Sequence, residues 1–130
     1  MTKLEAIIET KRLLAAGRLE AEQSFVDAGI DTLLDSVNGC GRAGAKFDFV
    51  PDSLWGLNII FACIIHDWDY KIGKTKRDKR LADIRFLVNM VLIILDNSGW
   101  FFKVLRVERA VKYFLAVDLK GGKAFWRGKK

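Results

Sequence analysis

The chain of 130 residues contains one proline, one histidine, two cysteines and two methionines. The lone histidine, His66, is the most restrictive of these scarcities. It excludes every site built on two or more imidazoles, including the HExxH zinc proteases and the multi-histidine phosphohydrolases of the HD type. Long apolar runs are also missing. The longest uncharged stretch, residues 53–65, has 13 residues, short of the roughly 18 that a membrane-spanning helix needs. The opening segment carries Lys3, Glu5 and Glu9 among its apolar residues and so lacks the apolar core of a signal peptide. The expectation is a chain that is cytoplasmic as synthesised, or that leaves the cell without a leader. With 51% hydrophobic residues disorder is excluded. Folding at this size removes roughly two thirds of the unfolded chain's surface from water, so one domain spanning residues 1–130 is expected, with no need of cross-links or metals for stability.

Charge of one sign is scarce by region. The net charge is +6, yet residues 1–38 hold four bases and seven acids, so that segment is at −3 and the remainder at +9. Two clusters supply most of the excess: Lys71, Lys74, Lys76, Arg77, Lys79 and Arg80, offset by Asp78, and a tail with Lys120, Lys123, Arg127, Lys129 and Lys130. Such clusters suit an anionic partner, phosphate backbone or anionic lipid head groups. Solvated loop and tail charges would produce the same composition. No nucleic-acid-binding module is recognisable, so no specific nucleic acid is expected.

The periodicity is that of helices. Leu4, Ile7, Ile8, Leu13 and Leu14 recur at helical spacing, which predicts a helix over about 3–16 ending near Gly17. A second helix is expected over about 18–37, weakened around Gly29. Residues 38–56, with four glycines and the only proline, read as the loop of the protein. Further helices are expected over about 57–72, with Gly73 placed to stop the first of them, over 78–96, and over 100–118 after the break at Asn97, Ser98 and Gly99. Gly121 and Gly122 are expected to release a basic tail, 119–130. The fold class is therefore all-α, with acidic helices in 1–37 and a core in 39–96.

Residues with chemistry to offer concentrate on the 57–72 and 78–96 pair. On a helix Cys63, His66 and Tyr70 share one face and Asp67 lies about 100° further round. If the two helices run antiparallel, His66 and Asp83 stand at the same height, some 10 Å from the turn between them. Asp83, flanked by Leu81, Ala82 and Ile84, could then accept a hydrogen bond from the imidazole, fixing its tautomer as a general base requires. A histidine packed for structure alone, a surface ion pair of Asp83 with Lys79 or Arg80, and Cys63 as a small buried hydrophobe fit the same spacing. Cys40, Cys63, His66 and Asp67 also form a possible zinc donor set, since thiolate and imidazole suit that metal.

A glycine-rich loop holding Cys40 and Gly41, then Ala62-Cys63-x-x-His66-Asp67-x-x-Tyr70, then Ala82-Asp83-x-x-Phe86, resembles the phospholipase A2 superfamily, particularly its short bacterial and viral members. The likeness covers about residues 39–90. It implies a phospholipase A2-like fold with two antiparallel core helices. Carried over, His66 is the base that activates a water, Asp83 orients it and Tyr70 supports the aspartate. Asp67 and the carbonyls of Gly39, Gly41 and Ala43 are implied as calcium ligands, and Cys40 with Cys63 as a disulfide. Calcium fits such a set because it takes hard oxygen donors, and closely spaced glycines let carbonyls turn inward. The implied activity is calcium-dependent hydrolysis of the sn-2 ester of phospholipids. The alternative is a non-catalytic phospholipase A2-like protein of a membrane surface or of phage assembly. The expected partner is a phospholipid surface met by Lys71, Lys74, Lys76 and Arg77, with Trp55, Trp68 and Trp100 to Phe102 near the site opening. A virion-associated setting is implied by the resemblance, while oligomeric state is not legible.

Overall fold

The computed structural model describes residues 2–37, 53–54 and 56–129. Within them the chain is mostly helical, in the order α1 (Lys3–Ala15), α2 (Gln23–Asp27), α3 (Ile30–Ser36), β1 (Ser53–Leu54), β2 (Leu57–Asn58), α4 (Ile60–Ile72), α5 (Lys76–Asn97), α6 (Trp100–Lys120) and α7 (Gly122–Trp126). The two short strands pair antiparallel, Ser53 opposite Asn58 and Leu54 opposite Leu57, and Gly56 takes a φ of 81° in the turn between them.

Caps explain where several helices start. Thr2 accepts from the Glu5 amide while the Glu5 carboxylate accepts from the Thr2 amide, a capping box that satisfies two otherwise orphaned donors. Thr75 and Asp78 do the same for α5, so that helix begins at Lys76 and not at the expected 78. Asn58 Oδ1 accepts from the Ile60 amide, which moves the start of α4 past the expected 57.

The largest departure from expectation lies in residues 18–37. Two short helices, α2 and α3, stand where one long helix is expected, and residues 18–22 are not helical. Buried Asn89 of α5 accepts from the Glu20 amide (2.7 Å) and donates to the Glu20 carbonyl (2.8 Å). Both backbone groups of Glu20 are thereby taken by a side chain, and neither enters a helical ladder.

The core centres on α4. Ten of its residues, from Ile60 to Tyr70 with Phe61 excepted, are buried, so it is apolar nearly all round, as expected of a helix enclosed by others. It packs against α1, α3, α5 and α7, while α5 also packs along α6. The tail is not released. Gly121 and Gly122 lead directly into α7, whose Phe125 is fully buried and meets the Tyr70 ring edge-on with centroids 5.1 Å apart. Lys129 donates to the Tyr70 carbonyl. Glycine is required at two of these contacts: a Cβ on Gly73 would lie 2.7 Å from the Phe125 ring, and one on Gly121 would lie 2.5 Å from the Tyr70 hydroxyl. The physical reason for the tail's return is that it takes the Phe125 ring out of water, against Tyr70 of α4.

Candidate active site

The turn between α4 and α5 brings His66 and Asp83 to the same level. His66 Nε2 lies 2.8 Å from Asp83 Oδ1, with the side chains 1% and 0% exposed. The same Oδ1 accepts from the Tyr70 hydroxyl at 2.6 Å, and Oδ2 accepts from Lys79 Nζ at 2.7 Å. Burial pushes the Asp83 carboxyl up. Hydrogen bonds from His66, Lys79 and Tyr70 and the charge of His66 outweigh it and hold Asp83 below the usual carboxylate range. An ionised carboxylate only accepts, so the ring proton sits on Nε2. Tyr70 is driven the other way: burial, then the neighbouring Asp83 charge, raise its hydroxyl well above the ordinary phenol value, and it remains a donor.

Aromatic rings fix the imidazole plane. Phe86, one turn beyond Asp83, stacks on His66 with centroids 4.6 Å apart and planes 20° apart, and Tyr70 meets it at 4.3 Å. The arrangement holds one histidine in one tautomer and one orientation beside a carboxylate, the geometry that a general base requires.

Lys79 was visible to sequence reasoning only as a possible surface partner of Asp83. The pair is instead enclosed, with the Lys79 side chain 13% exposed. Its ammonium also donates to the Val117 and Asp118 carbonyls, both at 3.1 Å, tying the last turn of α6 to the Asp83 cluster. Arg80 pairs with Asp118 at 3.3 Å. Phe86 has no expected role from sequence, and its spacing of three residues from Asp83 is the signal that places it on the His66 side.

Another buried carboxylate, absent from the expected site, lies on α4 with His66. Asp69 accepts two bonds from Arg85, at 3.0 and 3.1 Å. Burial raises its proton affinity more than Arg85 lowers it, so its pKa is pushed up to about 6. Both residues line a cavity of about 350 Å³ together with Glu22, Ile72 and Leu81.

The remaining expected residues divide. Asp67 is fully buried. Cys63 is disulfide-bonded and so offers no thiolate to the zinc alternative. Gly39, Cys40, Gly41 and Ala43, and Trp55 as well, lie outside the described residues, among which no group of three or more His, Cys, Asp and Glu is gathered for a metal. Lys71, Lys74, Lys76 and Arg77 are exposed. Trp68 does not face outward: it is 8% exposed, donates to Ser24 Oγ at 3.1 Å and packs edge-on against Phe25. Its aromatic bulk holds α2 in place, which removes it from the expected lipid-facing set. Trp100, Phe101 and Phe102 are exposed, but they stand at the far end of the 22-residue α5 from Lys76 and Arg77, some 30 Å away at 1.5 Å per residue. The aromatic and basic groups therefore do not adjoin.

Comparison with protein-family models, curated proteins and solved structures yields no match to the chain.

Proposed function

We propose that the protein is a calcium-dependent lipid esterase of the phospholipase A2 type, hydrolysing the sn-2 ester of phospholipids with a water activated by His66. The observation that carries this reading is the enclosed His66, Asp83 and Tyr70 arrangement, in which the carboxylate accepts from Nε2 at 2.8 Å and from the phenol at 2.6 Å. With Nε2 committed to Asp83, proton transfer falls to Nδ1. That nitrogen takes a proton from water as the oxygen bonds to the ester carbonyl carbon, and returns it to the glycerol oxygen as the C–O bond breaks. The products are a fatty acid and a lysophospholipid. Asp83 stays ionised throughout and steadies the transient imidazolium. No serine or cysteine nucleophile is required.

The donor chemistry of Asp67, a buried carboxylate next to His66 in sequence, fits a hard cation. It would hold calcium together with the carbonyls of Gly39, Gly41 and Ala43, the ligands implied by the resemblance. When bound, the ion would polarise the ester carbonyl and stabilise the developing oxyanion.

The test is fatty-acid release from mixed anionic vesicles with calcium. His66→Asn should lower the rate by about 10²- to 10⁴-fold, the usual contribution of a general base, at unchanged helix content by circular dichroism. Chelation of calcium should abolish release and lower the melting temperature, because a ligand that binds only the folded state stabilises it. Undiminished release by His66→Asn would overturn the mechanism. Vesicle binding without release would favour the non-catalytic alternative.

A further inference from the structure

Helix α6 buries only Ala110 and Val117 completely. Its opposite side is apolar yet exposed: Phe101 is 65% exposed, Leu115 47% and Leu119 78%. At 100° per residue, Phe101, Leu105, Glu108, Lys112, Leu115 and Leu119 fall on this outward side. Among the described residues the ion pair on it is Glu108 with Lys112, at 2.7 Å and more than half exposed. Read from the level of Ala110, the face is palindromic in character. Glu108 and Lys112 lie two residues to either side, Leu105 and Leu115 five, and Phe101 and Leu119 nine.

We propose that this face pairs with the same face of a second copy of the chain, the two α6 helices running antiparallel about a two-fold axis at the level of Ala110. A two-fold interface must be self-complementary, and the palindrome supplies that property. Glu108 meets Lys112 of the partner subunit and Lys112 meets Glu108 of the partner subunit, so two exposed pairs merge into one alternating cluster of four charges. Leu105 lies against Leu115 of the partner subunit, and Phe101 against Leu119 of the partner subunit. A parallel pairing would set glutamate against glutamate and lysine against lysine, at a cost in like-charge repulsion. An anionic bilayer is the poorer occupant, because it would press Glu108, at the centre of the face, against charge of its own sign and out of water. The inference is independent of the reaction proposed above.

Sedimentation equilibrium of the full chain tests it. The expected result is a concentration-dependent equilibrium between monomer and dimer. Glu108→Lys and Lys112→Glu should each weaken self-association at least tenfold, since each makes the four-charge cluster of one sign. Mixing the two variants in equal amounts should restore a dimer, because each then meets its electrostatic complement. Leu115→Asp should also give monomer, and circular dichroism should show the same helix content in all four proteins. A chain that stays monomeric at every concentration overturns the proposal, including one that partitions onto anionic vesicles through Phe101 instead. So does a dimer indifferent to the charge reversals, or a mixture of the two variants that remains monomeric.

Discussion

Asp83 shows how one side chain can satisfy two competing readings. An acid between Leu81, Ala82 and Ile84 could be the partner of an imidazole or of a nearby lysine, and it is both, with one oxygen for His66 and Tyr70 and the other for Lys79. Three donors are what allow a fully buried carboxylate to remain charged. Among the described residues Asp69 accepts from Arg85 alone and illustrates the opposite balance, burial pushing it up to about 6. An acid that holds its proton more tightly folded than unfolded stabilises the fold when protonated. That contribution is complete below the unfolded value of 3.8 and is lost as pH rises through about 6. At about 1.4 kcal/mol per tenfold change in proton affinity, it amounts to about 3 kcal/mol. Urea unfolding of the unaltered protein and of Asp69→Asn between pH 4 and pH 7 isolates it, since every other titrating group is common to both. The stability difference between them should move in the variant's favour by up to about 3 kcal/mol as pH rises across the window. A pH-independent difference would refute the assignment.

At the scale of elements, the boundary that matters most is made by Asn89. Helical periodicity reports which side chains can share a face, and residues 18–37 satisfy it. It is silent about a side chain on another helix that claims a backbone amide and carbonyl. Asn89→Ala removes both bonds to Glu20 and should cost about 2 kcal/mol, at roughly 1 kcal/mol for each hydrogen bond lost. Native-state hydrogen exchange should show the Glu20 amide losing its protection, while amides in the middle of α4 follow only the global change. Retained protection at Glu20 would mean that the segment is held by something else. The start of α5 teaches the converse lesson, because Thr75 and Asp78 are close in sequence and their capping box is a local signal.

For the molecule as a whole, the decisive event is the return of the C-terminal segment onto α4. It brings Lys120, Lys123 and Arg127 to the end of the bundle where Lys71, Lys74, Lys76 and Arg77 are exposed, so two clusters distant in sequence form one basic pole. Gly121 is where this arrangement meets the site, because a methyl group there would overlap the Tyr70 hydroxyl that donates to Asp83. Gly121→Ala should destabilise the protein by about 1–3 kcal/mol, the usual range for overpacking, and should lower the proposed lipid hydrolysis by displacing Tyr70. Gly122→Ala, where a Cβ meets nothing within 4 Å, should be neutral or slightly stabilising. Thermal unfolding of the two variants gives the comparison, and equal melting temperatures would show that the overlap relaxes without cost. No helix among the described residues is long and apolar enough to cross a membrane, as the scarcity of long apolar runs anticipated.

By itself the sequence determined the helical class, the single imidazole, and the register that sets His66 level with Asp83 once two helices fold back across a short turn. These follow from local rules, since spacing of three and four residues defines a helix face and turn length fixes which positions oppose each other. Tertiary structure decided the rest: that Lys79 joins Asp83 and the end of α6, that Asn89 interrupts an expected helix, that Trp68 faces inward, and that the tail closes over Tyr70. Each depends on contacts between residues far apart in the chain, where burial and hydrogen-bond satisfaction are settled by packing and leave no periodic trace in the order of amino acids.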